Sequence, residues 1–120
     1  MEKTVLQTPH APSPIGPYSQ AIQANNLLFI SGQIAIDPAT DQMIKGDIVE
    51  ETHRVMQNLK AILAAAGMDF QHVVKTTIFI LDMQDFSAVN EVYGKYFQES
   101  FPARETVQVA GLPRGARVEI

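Results

Sequence analysis

The sequence contains no cysteine. That absence removes disulfides, thiolate metal sites and a thiol nucleophile together, and it leaves the redox compartment open. Charge is sparse as well: 18% of the 120 residues are charged, 9 basic against 13 acidic, for a formal net charge of -4. A net negative chain gains no bulk attraction to a polyanion, so nucleic acid and anionic membrane are poor default partners. Arg104, Arg114 and Arg117 fall close together late in the sequence, which leaves room for a local basic patch. No apolar run approaches the roughly 20 residues that span a bilayer. The opening Met1-Glu2-Lys3-Thr4-Val5-Leu6 reaches polar Gln7 too early for the apolar region of a signal peptide. A cytoplasmic protein is the expectation.

Several chemistries are missing too. The glycines form neither a dinucleotide fingerprint nor a P-loop. His10, His53 and His72 lie in a loop, on the polar side of a helix and before a strand, without the spacing of a metal-binding pair, so no metal site is expected. Ser31-Gly32-Gln33 is not a nucleophile elbow.

What is present is ordinary globular composition, 46% hydrophobic, with no repeat or linker, which predicts one domain over residues 1–120. Four prolines between Thr8 and Pro17 make a stiff irregular loop after a short strand at Lys3 to Leu6. Strands are predicted at Ser19 to Ala24 and Leu27 to Gln33, turned by Asn25-Asn26. Asp37-Pro38 opens a turn region that Gly46 closes. Apolar residues at Val49, Val55, Met56, Leu59, Ile62, Leu63 and Ala66 follow the 3.6-residue period and predict a helix from Ile48 to Ala66. Asp47 and Glu50 suit its N-terminus and Gly67 its C-terminus. A strand at Val73 to Leu81 and a helix at Met83 to Gln98, capped by Asp82, come next. Final strands are expected at Glu105 to Val109 and Ala116 to Ile120.

The order β-β-β-α-β-α-β-β predicts an α+β fold, a single mixed β-sheet with two helices on one face. Leu27-Leu28-Phe29-Ile30 and Ile78-Phe79-Ile80-Leu81 do not alternate as strands with one wet face should. Two helices cover one face only, so the other requires a cover from outside the chain, for which another copy is the simplest candidate. The ending Val118-Glu119-Ile120 reads as a strand still in progress, so the natural chain is expected to continue.

Five short motifs stand out: Gly16-Pro17-Tyr18-Ser19-Gln20, Ser31-Gly32-Gln33-Ile34, Val89-Asn90-Glu91-Val92-Tyr93, Pro102-Ala103-Arg104 and Val118-Glu119-Ile120. In this order, with this element pattern between them, they make the chain closely resemble the YjgF-type Rid proteins, the reactive-intermediate deaminases, along almost its whole length. The resemblance implies a chorismate-mutase-like (ferredoxin-like) subunit, a homotrimer and active sites between neighbouring subunits. It implies hydrolysis of 2-iminobutanoate and 2-iminopropanoate to 2-keto acids and ammonia, with no cofactor.

The resemblance also implies site residues, and each has a plainer reading beside it. Arg104 matches the arginine that binds the substrate carboxylate, and its planar fork of donors suits that task; without the family it reads as a surface arginine at a strand start. Glu119 matches the glutamate that orients or activates water, against a solvent-facing strand carboxylate. Tyr18 matches a pocket tyrosine, or else anchors the proline-rich loop. Ser31 and Gly32 match a segment close to the ligand, where a glycine in a strand equally marks a bulge. Asn90 matches a pocket or interface position, with helix packing as the alternative. Thr106 departs from the cysteine common in the family, which excludes thiol chemistry there but leaves its backbone amide for the carboxylate. Two other functions attach to the resemblance: a non-catalytic small-carboxylate-binding, regulatory or chaperone-like trimer, and an RNA-cleaving translation inhibitor.

Overall fold

The computed structural model describes residues 2–120. The first half is built on a hairpin and one long helix. β1 (Lys3–Leu6) pairs antiparallel with β2 (Ala21–Ala24), which pairs antiparallel with β3 (Leu27–Ile30). Asn25 takes the left-handed conformation at the turn (φ 55°), as asparagine tolerates. The turn region after Ile34 holds a two-stranded ribbon not expected from the sequence, β4 (Ile36–Asp37) with β5 (Gln42–Met43).

α1 (Ile48–Ala65) starts and stops on local chemistry. The Asp47 carboxylate accepts from Glu50 N–H at 2.9 Å while the Glu50 side chain reaches back to Asp47 N–H, a closed capping box. At the other end Gly67 sits at φ 71°, with Met68 N–H bonded to Leu63 O and Gly67 N–H to Ala64 O. Those two bonds are the Schellman closure.

β6 (Lys75–Ile80) lies in the middle of a mixed three-stranded sheet, parallel to β7 (Ala103–Gln108) and antiparallel to β8 (Val118–Glu119). α2 (Phe86–Gly94) is shorter than the periodicity predicts. The Asp82 cap accepts from Gln84 N–H, which tightens Met83–Asp85 into a 3-10 turn before the α-helix begins. Beyond Gly94, a poor helix former, the bonds run from Lys95, Tyr96 and Phe97 to carbonyls three residues back.

Both helices pack on one face, as expected. Ile78, Ile80 and Val118 share a core with Val55, Met56 and Leu59 of α1 and with Val89 and Tyr93 of α2. Ala21, Ala11 and Ile62 form a second cluster, to which Leu6 and Ile30 add. The far face stays apolar and open: Val5 is 57% and Phe29 58% exposed, and their register pairs them across Ile22.

The single sheet is a correction. Strands β1-β2-β3 and β7-β6-β8 are separate ladders, joined only where Gln33 and Ile120 exchange two hydrogen bonds, at 2.8 and 3.1 Å. That exchange is one antiparallel pair. Ile30 points to the helices, and Gln33 opposes Ile120, which also points there. An odd spacing cannot do this in a regular strand, so the chain departs from the pleat at Ser31–Gly32.

Candidate active site

The proline-rich loop is held from below by one buried side chain. Gln20 is 2% exposed; its amide nitrogen donates to Thr8 O, Ala11 O and Pro12 O at 2.8 to 3.1 Å, and its oxygen accepts from Thr8 N–H at 2.7 Å. The sequence reading noted Gln20 only as part of a motif. The loop returns through Tyr18, whose hydroxyl accepts from Ile15 N–H at 3.1 Å and whose ring remains half exposed. Tyr18 thus ties the loop to itself and lines the cleft.

Across from this loop lies the break between the two ladders. Ser31 N–H donates to Gln20 O (2.9 Å), Ser31 Oγ to Ser19 O (2.6 Å), and Gln33 Nε2 to Ser31 O (3.1 Å). Beyond it, Asn58, fully buried on α1, donates to Ile34 O and Ile36 O. An asparagine between Val55 and Ile62 on an apolar stripe was the available signal for this tie, since a buried amide requires partners.

Between loop and break opens a cleft of about 330 Å³ lined by Ile15, Tyr18, Ser31, Gly32, Pro113 and Glu119, among others. Among the described residues, Glu119 is the only charged one in its lining. Its half-buried carboxyl lies against Gly32, and burial pushes its pKa above the ordinary carboxylate value. Four expected site residues, Tyr18, Ser31, Gly32 and Glu119, therefore converge.

The other three do not join them. Arg104 opposes Thr76, whereas Glu119 opposes Phe79, and alternation along β6 puts these on opposite faces of one sheet. The Arg104 guanidinium lies on the helix side, 5.1 Å from the Tyr93 ring centroid and 5.7 Å from that of Phe86. Tyr93 is fixed by a 2.7 Å hydrogen bond to Thr76, and burial raises its hydroxyl pKa against opposing effects of that bond and of Arg104. Among the described residues no carboxylate pairs with Arg104. Thr106 is on the same face of β7, its buried hydroxyl without a hydrogen-bond partner among the described residues. Asn90 lies between Phe86 and Tyr93 on the same side of α2, at the i, i+4, i+7 spacing.

The late arginines are held by different partners. Arg117 donates from its backbone and side chain to buried Glu51, at 2.7 and 2.8 Å, and Arg114 donates to Asp41 O. No helix among the described residues is long and apolar enough to cross a membrane.

Comparison with known proteins places these residues in context. A family model described as endoribonuclease L-PSP matches residues 8–120. Protein DfrA of Myxococcus xanthus is 57% identical over 122 residues, covering 100% of this chain and 93% of its own. The 2-iminobutanoate/2-iminopropanoate deaminase of Mus musculus is 53% identical over 118 residues, covering 98% and 87%. A solved structure of the conserved Rid family from Yersinia pestis, a protein of unknown function, superposes with a TM-score of 0.96 at 49% identity, covering 98% and 94%.

Proposed function

The chain belongs to the Rid family, and from that membership we propose that it hydrolyses 2-imino acids such as 2-iminobutanoate and 2-iminopropanoate to 2-keto acids and ammonia. The observation that carries the reading is Glu119: a half-buried carboxyl with a raised pKa, alone in an otherwise uncharged cleft. Such a group takes and returns protons nearer to neutrality than an ordinary glutamate does.

The chemistry needs little else. Water adds to the imine carbon and passes a proton to the Glu119 carboxylate, which returns it to nitrogen to give the carbinolamine. The carbinolamine hydroxyl then yields its proton to the same carboxylate as the C–N bond breaks, and the proton leaves with the amine. One imine and one water give one ketone and one ammonia. The substrate carboxylate is the handle, and Arg104 has the unpaired fork to hold it.

Arg104 and Glu119 cannot meet within one chain, because the sheet stands between them. The site is therefore completed by a second copy, which brings Arg104 on the open edge of its β7 to the Glu119 cleft. The exposed apolar face with Val5 and Phe29 is the surface proposed for assembly, and the family resemblance makes a homotrimer its expected form.

The test is keto-acid release from imines made in place by an amino-acid oxidase, with semicarbazide competing for the imine. Less trapped product with wild type, and loss of that protection in Arg104→Ala and Glu119→Ala proteins that remain oligomeric, is expected. No protection by the assembled wild type would leave a carboxylate-binding protein. The family model's description favours RNA cleavage as a second reading. Incubation with RNA decides it, since only that reading predicts fragments lost at higher salt.

A further inference from the structure

Gly32 is the only glycine lining the cleft, and the reason for it is not its backbone. Glycine in a strand pattern often supplies a left-handed conformation, but the left-handed glycines of this chain are Gly67 and Gly115. Gly32 adopts a conformation open to other residues. What it lacks is room: a Cβ built at this position would lie 2.8 Å from Glu119 Cδ and 3.1 Å from Glu119 Cγ, with Oε2 nearer still. Ordinary carbon contacts begin at about 3.5 Å.

The backbone at this point cannot retreat. Ser31 is fastened to Gln20 O and Ser19 O, Gln33 Nε2 holds Ser31 O, and the Gln33–Ile120 exchange ties the other end to the strand that carries Glu119. The Glu119 carboxyl is the free end of a flexible side chain and can swing toward solvent. An added methyl would therefore displace the carboxyl and leave the fold in place.

We propose that Gly32 is a positioning residue, its missing side chain being the space in which the Glu119 carboxyl is seated. This rests on the reading of Glu119 as the group that handles water, and it assigns the seat that keeps that carboxyl out of solvent. Within one chain the other titratable groups near that face are engaged elsewhere, and the Arg104 that the proposed assembly brings to the cleft acts alike on wild type and Gly32→Ala. Tyr18 lines the cleft with its hydroxyl accepting from Ile15 N–H, Glu105 is occupied by Thr77 at 2.7 Å and Lys75 at 3.1 Å, and Arg117 is held by Glu51 at 2.8 Å.

The experiment compares wild type, Gly32→Ala, Glu119→Ala and the double variant in the assembled protein. Gly32→Ala is expected to lower kcat by about a hundredfold, the usual size of a misplaced acid–base group, with KM within about twofold. In the Glu119→Ala background the same substitution should change nothing, because the residue acts through Glu119. Independently of catalysis, carboxyl-carbon NMR of glutamate-labelled protein should show the Glu119 midpoint falling toward the ordinary carboxylate value in Gly32→Ala. An unchanged midpoint would overturn the proposal. A moved midpoint in a protein with no imine hydrolysis would keep the seat and remove the hydrolytic reading, so the two fail separately. A Gly32→Ala effect of equal size with or without Glu119 would make the glycine merely structural.

Discussion

If Arg104 and Glu119 serve the same site from different copies, two inactive variants should restore one another. Arg104→Ala keeps every Glu119 cleft, and Glu119→Ala keeps every Arg104. Each homogeneous assembly lacks one partner at all of its sites. In a randomly mixed assembly at equal ratio, a site is whole when its cleft comes from the Arg104→Ala chain and its arginine from the Glu119→Ala chain. The two probabilities of one half give about one quarter of sites in a closed ring of identical interfaces. Oligomers from equal co-expression, left unselected and their mixing verified by mass, should thus recover about 25% of wild-type keto-acid release. A site contained within one chain predicts no recovery at any ratio, because no chain then carries both residues. Mixed oligomers no more active than either parent would refute the shared site.

Other expectations follow from single contacts. Gln20→Ala removes four hydrogen bonds, three buried and one part-buried, of which two amide hydrogens and one oxygen supply about three full ones, or ~3 kcal/mol. At ~4 °C per kcal/mol this lowers Tm by ~12 °C in a thermal melt and exposes the proline loop to protease. Asp47→Ala opens the α1 capping box and costs about 1 kcal/mol by denaturant titration, with Asp47→Asn costing less. Arg104→Lys keeps the charge but loses the fork, so KM for imino acids should rise about tenfold or more while kcat changes little. Burial raises the Glu119 pKa, so the folded chain holds that proton to higher pH than the unfolded chain does, and stability falls as pH rises from the ordinary carboxylate value through the folded one. Glu119→Gln should accordingly be more stable than wild type above that window, with the difference vanishing below it in melts run across pH.

The parts of the fold legible in the sequence are those decided by neighbours. Asp47, Glu50 and Gly67 bracket α1 within one or two residues of its ends because caps act over three or four positions. Asn25 marks its turn for the same reason. The ends of α2 were less legible: the apolar spacing through Phe97 continues, but the 3-10 bonds around Met83–Asp85 and beyond Gly94 replace the helical ladder. The divided sheet was not legible at all. It depends on Gln33 meeting Ile120, and nothing near either residue announces the other.

The site divides along the same line. The motifs hold six of the seven candidate residues, Thr106 lying outside them, yet a motif carries no information about which side of a strand will face which neighbour. That depends on register: Thr76 opposite Arg104 and Phe79 opposite Glu119 differ by three positions, an odd number, and this alone sends the two side chains to different faces. A one-residue change in either pairing would have put arginine and carboxylate on the same face of one chain. Within one chain, keeping them apart leaves Glu119 without a cation to lower its pKa and Arg104 without a carboxylate to occupy its fork. On the proposed reading both groups are then open to a small anionic substrate, and the register of β6 would make assembly the condition for bringing them together.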